Sequence, residues 1–257
     1  MKTIQSIILL GSMLLIFAGC EKDNYDMPKG GIAGALVDAQ NGGTLQLSET
    51  GANSTVRMLV NDPAKYPAPA NYDLVVKQDG TFSNSSVFSE SYKVFPVAQS
   101  GPWQYVAKDS VNVTVADNQT ANVTFKVAPF YYISTPAVAD STVTFTITQS
   151  TMATVSNHLT NTNNLLILIN NFERVDESIC SNTAGKYYQN QFQFTITDAV
   201  LNTPYTPRGG TAASGNPYSF SFANMHMPHG TYYLRVAVFG NGSAGKFNYS
   251  PIVKITL

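Results

Sequence analysis

Charge is scarce in this chain. Asp, Glu, Lys and Arg make up 12% of its 257 residues and the formal net charge is −1, where globular proteins usually carry about 25% charged residues. Nucleic acid is held by clustered Lys and Arg, so that partner is excluded. Histidine occurs three times, at His158, His226 and His229. None stands in a His-Glu-x-x-His spacing, so neither a metal site nor a cofactor is expected. Cysteine occurs twice, at Cys20 and Cys180, and Cys180 lacks a basic neighbour that would hold it as a thiolate. There is no Gly-x-Ser-x-Gly elbow, which removes the usual serine hydrolase. Asp176 and Glu177 are adjacent, and adjacent strand residues face opposite ways, so they do not read as a catalytic carboxylate pair but as a polar loop. On these absences the chain is not an enzyme.

No apolar run reaches the ~20 residues that a spanning helix needs. The apolar stretch Ile7 to Phe17 is too short, and it leads through Ala18 and Gly19 to Cys20 behind a terminus carrying Lys2. That is the pattern of a lipoprotein signal peptide, with residues 1–19 removed and lipid placed on Cys20. Acyl chains there add ~0.8 kcal/mol per buried CH₂, enough together to hold the chain at a membrane. With Cys20 lipidated, Cys180 has no disulfide partner and reads as a small buried apolar residue. Residues 20–31 mix acidic residues with Asn, Pro and Gly and read as a flexible tether.

From Ile32 onward the pattern is all-β: short runs rich in Val, Ile, Tyr and Phe, with no sustained helical period. Val111, Val113 and Val115 alternate with polar residues, as do Val123, Phe125 and Val127. Asp117-Asn118-Gln119 between them sits at hairpin spacing, and Gln78-Asp79-Gly80-Thr81 plays the same part after Tyr72, Leu74 and Val76. Pro129 ends one β series and a new one starts at Val143, which places a domain boundary there: 32–129 and 130–257, two consecutive β-sandwiches. Leu165 to Ile169 lacks alternation and reads as a central strand, stopped by Asn170-Asn171, rather than a short buried helix.

Several segments carry a resemblance. Gly34-Ala-Leu-Val-Asp38, Gly43-Thr-Leu45, Thr55-Val56, Asp79-Gly80-Thr81-Phe82 and Ser91-Tyr92-Lys93-Val94 resemble the carboxypeptidase regulatory-like, transthyretin-like sandwich. Gly230 to Val236 and the closing Tyr249-Ser250-Pro251 resemble the last strands of a fibronectin type III domain. With Cys20 to Tyr25, Gly101-Pro102-Trp103 and Val127-Ala128-Pro129-Phe130, the chain is similar to a family of uncharacterised lipoproteins that join these two domains. The resemblance implies an outer-membrane lipoprotein facing the cell exterior, beside starch-utilisation-system-like glycan uptake machinery; acidic Glu21, Asp23 and Asp26 after the lipid site agree with it. That pattern has glycine where Glu90 stands, and a side chain at positive φ there would carry steric cost. Transthyretin-like hydrolases end in Tyr-Arg-Gly-Ser; this chain ends Val-Lys-Ile-Thr-Leu257 and lacks that signature.

Binding is the expected role, because sandwich loops hold side chains on a rigid scaffold and flat rings stack on sugars. Trp103 with Tyr105, the cluster Phe130, Tyr131 and Tyr132, and the pair Tyr187 and Tyr188 are the candidate platforms. The competing reading is that the first two clusters fill the joint between domains. An accessory glycan-binding role and a structural role, docking onto an outer-membrane transporter or a companion lipoprotein, both stay open.

Overall fold

The computed structural model describes residues 26–48, 54–107, 110–153, 165–180, 191–194, 217–223, 227–239 and 246–257. Cys20, His158, Tyr187, Tyr188 and His226 lie outside them. Every regular element among the described residues is a strand, and none forms a helix long and apolar enough to cross a membrane.

Eight strands make the first unit: β1 (Gly30–Asp38), β2 (Thr55–Val60), β3 (Tyr72–Val75), β4 (Thr81–Val87), β5 (Ser91–Pro96), β6 (Trp103–Tyr105), β7 (Val111–Thr114) and β8 (Thr120–Pro129). They form two sheets of order β4-β1-β8-β6 and β3-β2-β5-β7. Inward residues of both, among them Ile32, Leu36, Val56, Val94, Phe82 and Phe125, close one apolar core. The alternation in β8 reads directly onto this: Val123, Phe125 and Val127 are buried while Thr124 and Lys126 face water.

The two hairpins expected from turn chemistry are corners instead. β7 pairs with β5 in one sheet, whereas β8 pairs in parallel with β1 in the other. Likewise β3 pairs with β2 and β4 with β1. Each turn is real, since Gly80 at φ 79° and Asn118 at φ 58° reverse the chain. A tight turn fixes the reversal, though, and not the sheet that receives the next strand. Val111, on the short edge strand β7, is consequently 39% exposed. Glu90 is not among the described residues at positive φ. Its carbonyl accepts the Val115 N–H and its carboxylate pairs with Lys65, so no glycine is needed.

The second unit contains β9 (Tyr131–Ile133), β10 (Ala137–Ala139), β11 (Thr142–Phe145), β12 (Ile147–Gln149), β13 (Leu165–Asn170), β14 (Gln191–Phe194), β15 (Tyr218–Ser221), β16 (Thr231–Phe239), β17 (Phe247–Tyr249) and β18 (Val253–Thr256). β13 is a fully buried strand between β14 and β16. Its two faces are covered differently: Leu165, Ile167 and Ile169 enter the main core with Val143, Phe145 and Phe220. Leu166 and Leu168 pack under the 171–180 segment against Val175 and Cys180. Cys180 is buried, its thiol 3.6 Å from the Ile169 carbonyl.

Candidate functional site

The parallel pairing of β1 and β8 decides where a site can form. It sets Asp38 opposite Val127, so both strands end at the same edge of the first sandwich. From there β8 runs through Pro129 straight into β9. Alternation on β9 then buries Tyr131 and Ile133 in the second core and turns Tyr132 back toward the first. Asp38, followed by a turn through Gly42 at φ 77°, meets that ring. The Tyr132 hydroxyl lies 3.0 Å from Asp38 Oδ1 and 3.2 Å from Gln40 Oε1. Burial pushes the Tyr132 phenol up, a nearby Ser150 contact opposes this, and the Asp38 carboxylate adds to the rise, so the hydroxyl stays a neutral donor.

Around this pair opens a cleft of about 230 Å³ between the two units. Asn41, Gly43, Thr44, Leu45 and Gln46 wall it from the first sandwich, and Tyr132, Asn248 and Tyr249 from the second. Ligand pockets for drug-sized molecules begin near ~300 Å³. The volume suits one end of a larger molecule. Asp38 is 4% exposed, and its Oδ2 has no hydrogen-bond partner among the described residues.

Polar contacts lock the walls in place. Asn248 accepts the Tyr131 N–H at 3.1 Å and donates to the Pro102 carbonyl at 2.9 Å. Arg235, wholly buried on β16, donates Nε to Ser250 O at 2.9 Å and Nη1 to Leu47 O at 2.7 Å and Val175 O at 3.3 Å. Its Nη2 reaches Gln78 O at 3.4 Å, and its guanidinium lies 4.2 Å from the Tyr249 ring centre. Desolvation pulls its pKa down to about 10, with Tyr249, Asp176 and Glu177 opposing the shift, so it is cationic at neutral pH. Gln78 also takes the Val175 N–H at 3.1 Å, and Ser48 donates to Asp176 at 3.1 Å. Asp176 and Glu177 are indeed in a loop: Asp176, fully buried, caps the turn at Ser178 and Ile179, and Glu177 accepts the Tyr249 hydroxyl.

The sequence candidates fall in different places. Tyr132 lines the cleft with its hydroxyl engaged, and Tyr131 touches the lining while belonging to the second core. Trp103 is 2% exposed inside the first core, its indole N–H 3.1 Å from Ser54 Oγ and its ring edge-on to Tyr105. Tyr105 is half-buried and donates to the Pro96 carbonyl. Neither ring stands as an exposed platform, because β6 pairs with β8 and carries Trp103 inward. His229 is exposed, and no group of three His, Cys, Asp or Glu side chains among the described residues is placed to hold a metal ion. Asp38, Asn248 and Arg235 carry the site without having been singled out from sequence. Arg235 alone offered a signal, as the one charge in the apolar run Tyr232 to Phe239.

With this geometry in view, comparison with known proteins matches a family model to the first sandwich and solved structures to both units. Residues 30–128 match the family model described as "Protein of unknown function (DUF3823) N-terminal domain". The chain also shares its fold with a DUF3823 family protein of Parabacteroides merdae, at TM-score 0.60 and 20% identity over 90% of this chain and 100% of that one. A DUF3823 family protein of Bacteroides ovatus gives TM-score 0.60 and 19% identity over 89% and 100%. A Bacteroides uniformis protein described as "a putative carbohydrate binding protein" gives 0.58 and 17% over 90% and 100%. These likenesses establish the fold. No curated protein matches the chain.

Proposed function

We propose that the chain is a non-catalytic DUF3823-type lipoprotein, anchored through Cys20 to the outer membrane and facing outward, that binds glycan as an accessory part of an uptake system. The observation that carries this reading is the cleft, which sets one half-buried ring, Tyr132, beside one carboxylate, Asp38, and the amide side chains Asn41, Gln46 and Asn248. Ring faces and planar polar groups are what a sugar's C–H and O–H surfaces recognise. Asp38 is the one carboxylate among the lining residues, whereas glycoside hydrolysis ordinarily takes two. The description of the Bacteroides uniformis neighbour supports the same direction.

A glycan array probed with the full chain and with Tyr132→Ala tests it. Saturable binding by the wild type, weakened roughly two- to twelvefold by loss of a ring worth ~0.5–1.5 kcal/mol, is expected. Silence of the wild type across diverse glycans, or equal binding by the variant, overturns it. Docking onto a transporter or companion lipoprotein is the second reading, favoured by Tyr66, Tyr72, Val75 and Phe88, which are 38–50% exposed on the first sandwich.

A further inference from the structure

We infer that the cleft selects glycans by charge, with Asp38 receiving a hydroxyl or amino group of a non-acidic sugar and turning acidic sugars away. This rests on the cleft being the glycan site. An ionised carboxylate offers about four lone-pair positions. In Asp38, Oδ1 accepts the Gln40 N–H at 2.9 Å and the Tyr132 hydroxyl at 3.0 Å, while Oδ2 is buried with no partner among the described residues. A buried carboxylate oxygen left in that state calls for a donor from outside. No Lys, Arg or His lines the cleft. The nearby cation, Arg235, lies behind the lining, its nitrogens committed to the Ser250, Leu47, Val175 and Gln78 carbonyls and to Gln46 Oε1 at 3.5 Å.

A sugar hydroxyl or ammonium supplies the missing donor. A uronate carboxylate brings a second negative charge to a half-enclosed site with no cationic side chain in its lining, and like charges at close range repel strongly there. Discrimination therefore comes from one residue, and removing its charge abolishes it. Asn at position 38 keeps an oxygen for Gln40 and Tyr132 and puts an N–H where Oδ2 stood.

The test is an array carrying matched neutral, amino and uronic-acid glycans, read with the full chain in detergent micelles as wild type and as Asp38→Asn. The wild type is expected to retain neutral or amino glycans at least tenfold better than uronic-acid ones; the variant is expected to lose that ratio. Wild-type binding of uronic-acid glycans as tight as of neutral ones overturns the selectivity while leaving the cleft as the site. A ratio unchanged in a folded Asp38→Asn chain removes Asp38 as its cause. A wild type that binds nothing removes the cleft reading itself, and the wild-type comparison needs no variant.

Discussion

Replacing Arg235 with Met is expected to lower the melting temperature by roughly 10 °C, the largest effect of any single change along the seam. Methionine fills much of the arginine's volume but leaves the carbonyls of Leu47, Val175 and Ser250 buried without their donor. Leaving a buried acceptor without its donor costs ~1–3 kcal/mol, so the three carbonyls together cost several kcal/mol. For a chain of this size 1 kcal/mol moves the midpoint by about 2–4 °C. Because the Leu47 and Gln78 carbonyls lie in the first unit and those of Val175 and Ser250 in the second, calorimetry should also show the two sandwiches melting less in step. Arg235→Lys should recover only part of the loss, since an ammonium has no planar fork to reach partners on several sides. A midpoint within about 2 °C of wild type for Arg235→Met would mean that the guanidinium is not a tie between the units.

Trp103→Ala is expected to cost ~3–5 kcal/mol, the range for deleting a large buried aromatic. The ring is 2% exposed, and Ser54 holds its N–H at 3.1 Å. Denaturant unfolding gives the loss. A second readout separates structure from recognition: Trp103→Phe, which refills most of the space, should leave glycan affinity within about twofold of wild type, a change well under the 1.4 kcal/mol that tenfold represents. Loss of affinity in a folded Trp103→Phe chain would restore the indole as a contact.

These two residues also show where reading the sequence succeeds and where it stops. β13 was legible because its run of apolar residues has no polar interruption until Asn170, and burial of both faces is the condition that permits such a run. The turns at Asp79-Gly80 and Asp117-Asn118 were legible as reversals but not as corners, since the partner of β8 is β1, fixed by core packing far from the turn. Trp103 sits in Gly101-Pro102-Trp103, which looks like an exposed loop until β6 is seen to pair with β8. Asp38 and Tyr132 are 94 residues apart and Arg235 and Leu47 are 188 apart. No periodicity spans such distances, so the cleft appears only when both sandwiches are in place.

The central claim, that glycan enters between the sandwiches, is tested most directly by hydrogen exchange on the full chain in micelles, with and without an array-selected glycan. The expected result is slowed exchange confined to Gly43–Gln46 and Tyr131–Ile133, which wall the cleft. Protection on the outer face of the β3-β2-β5-β7 sheet instead, with those two segments unchanged, would contradict it.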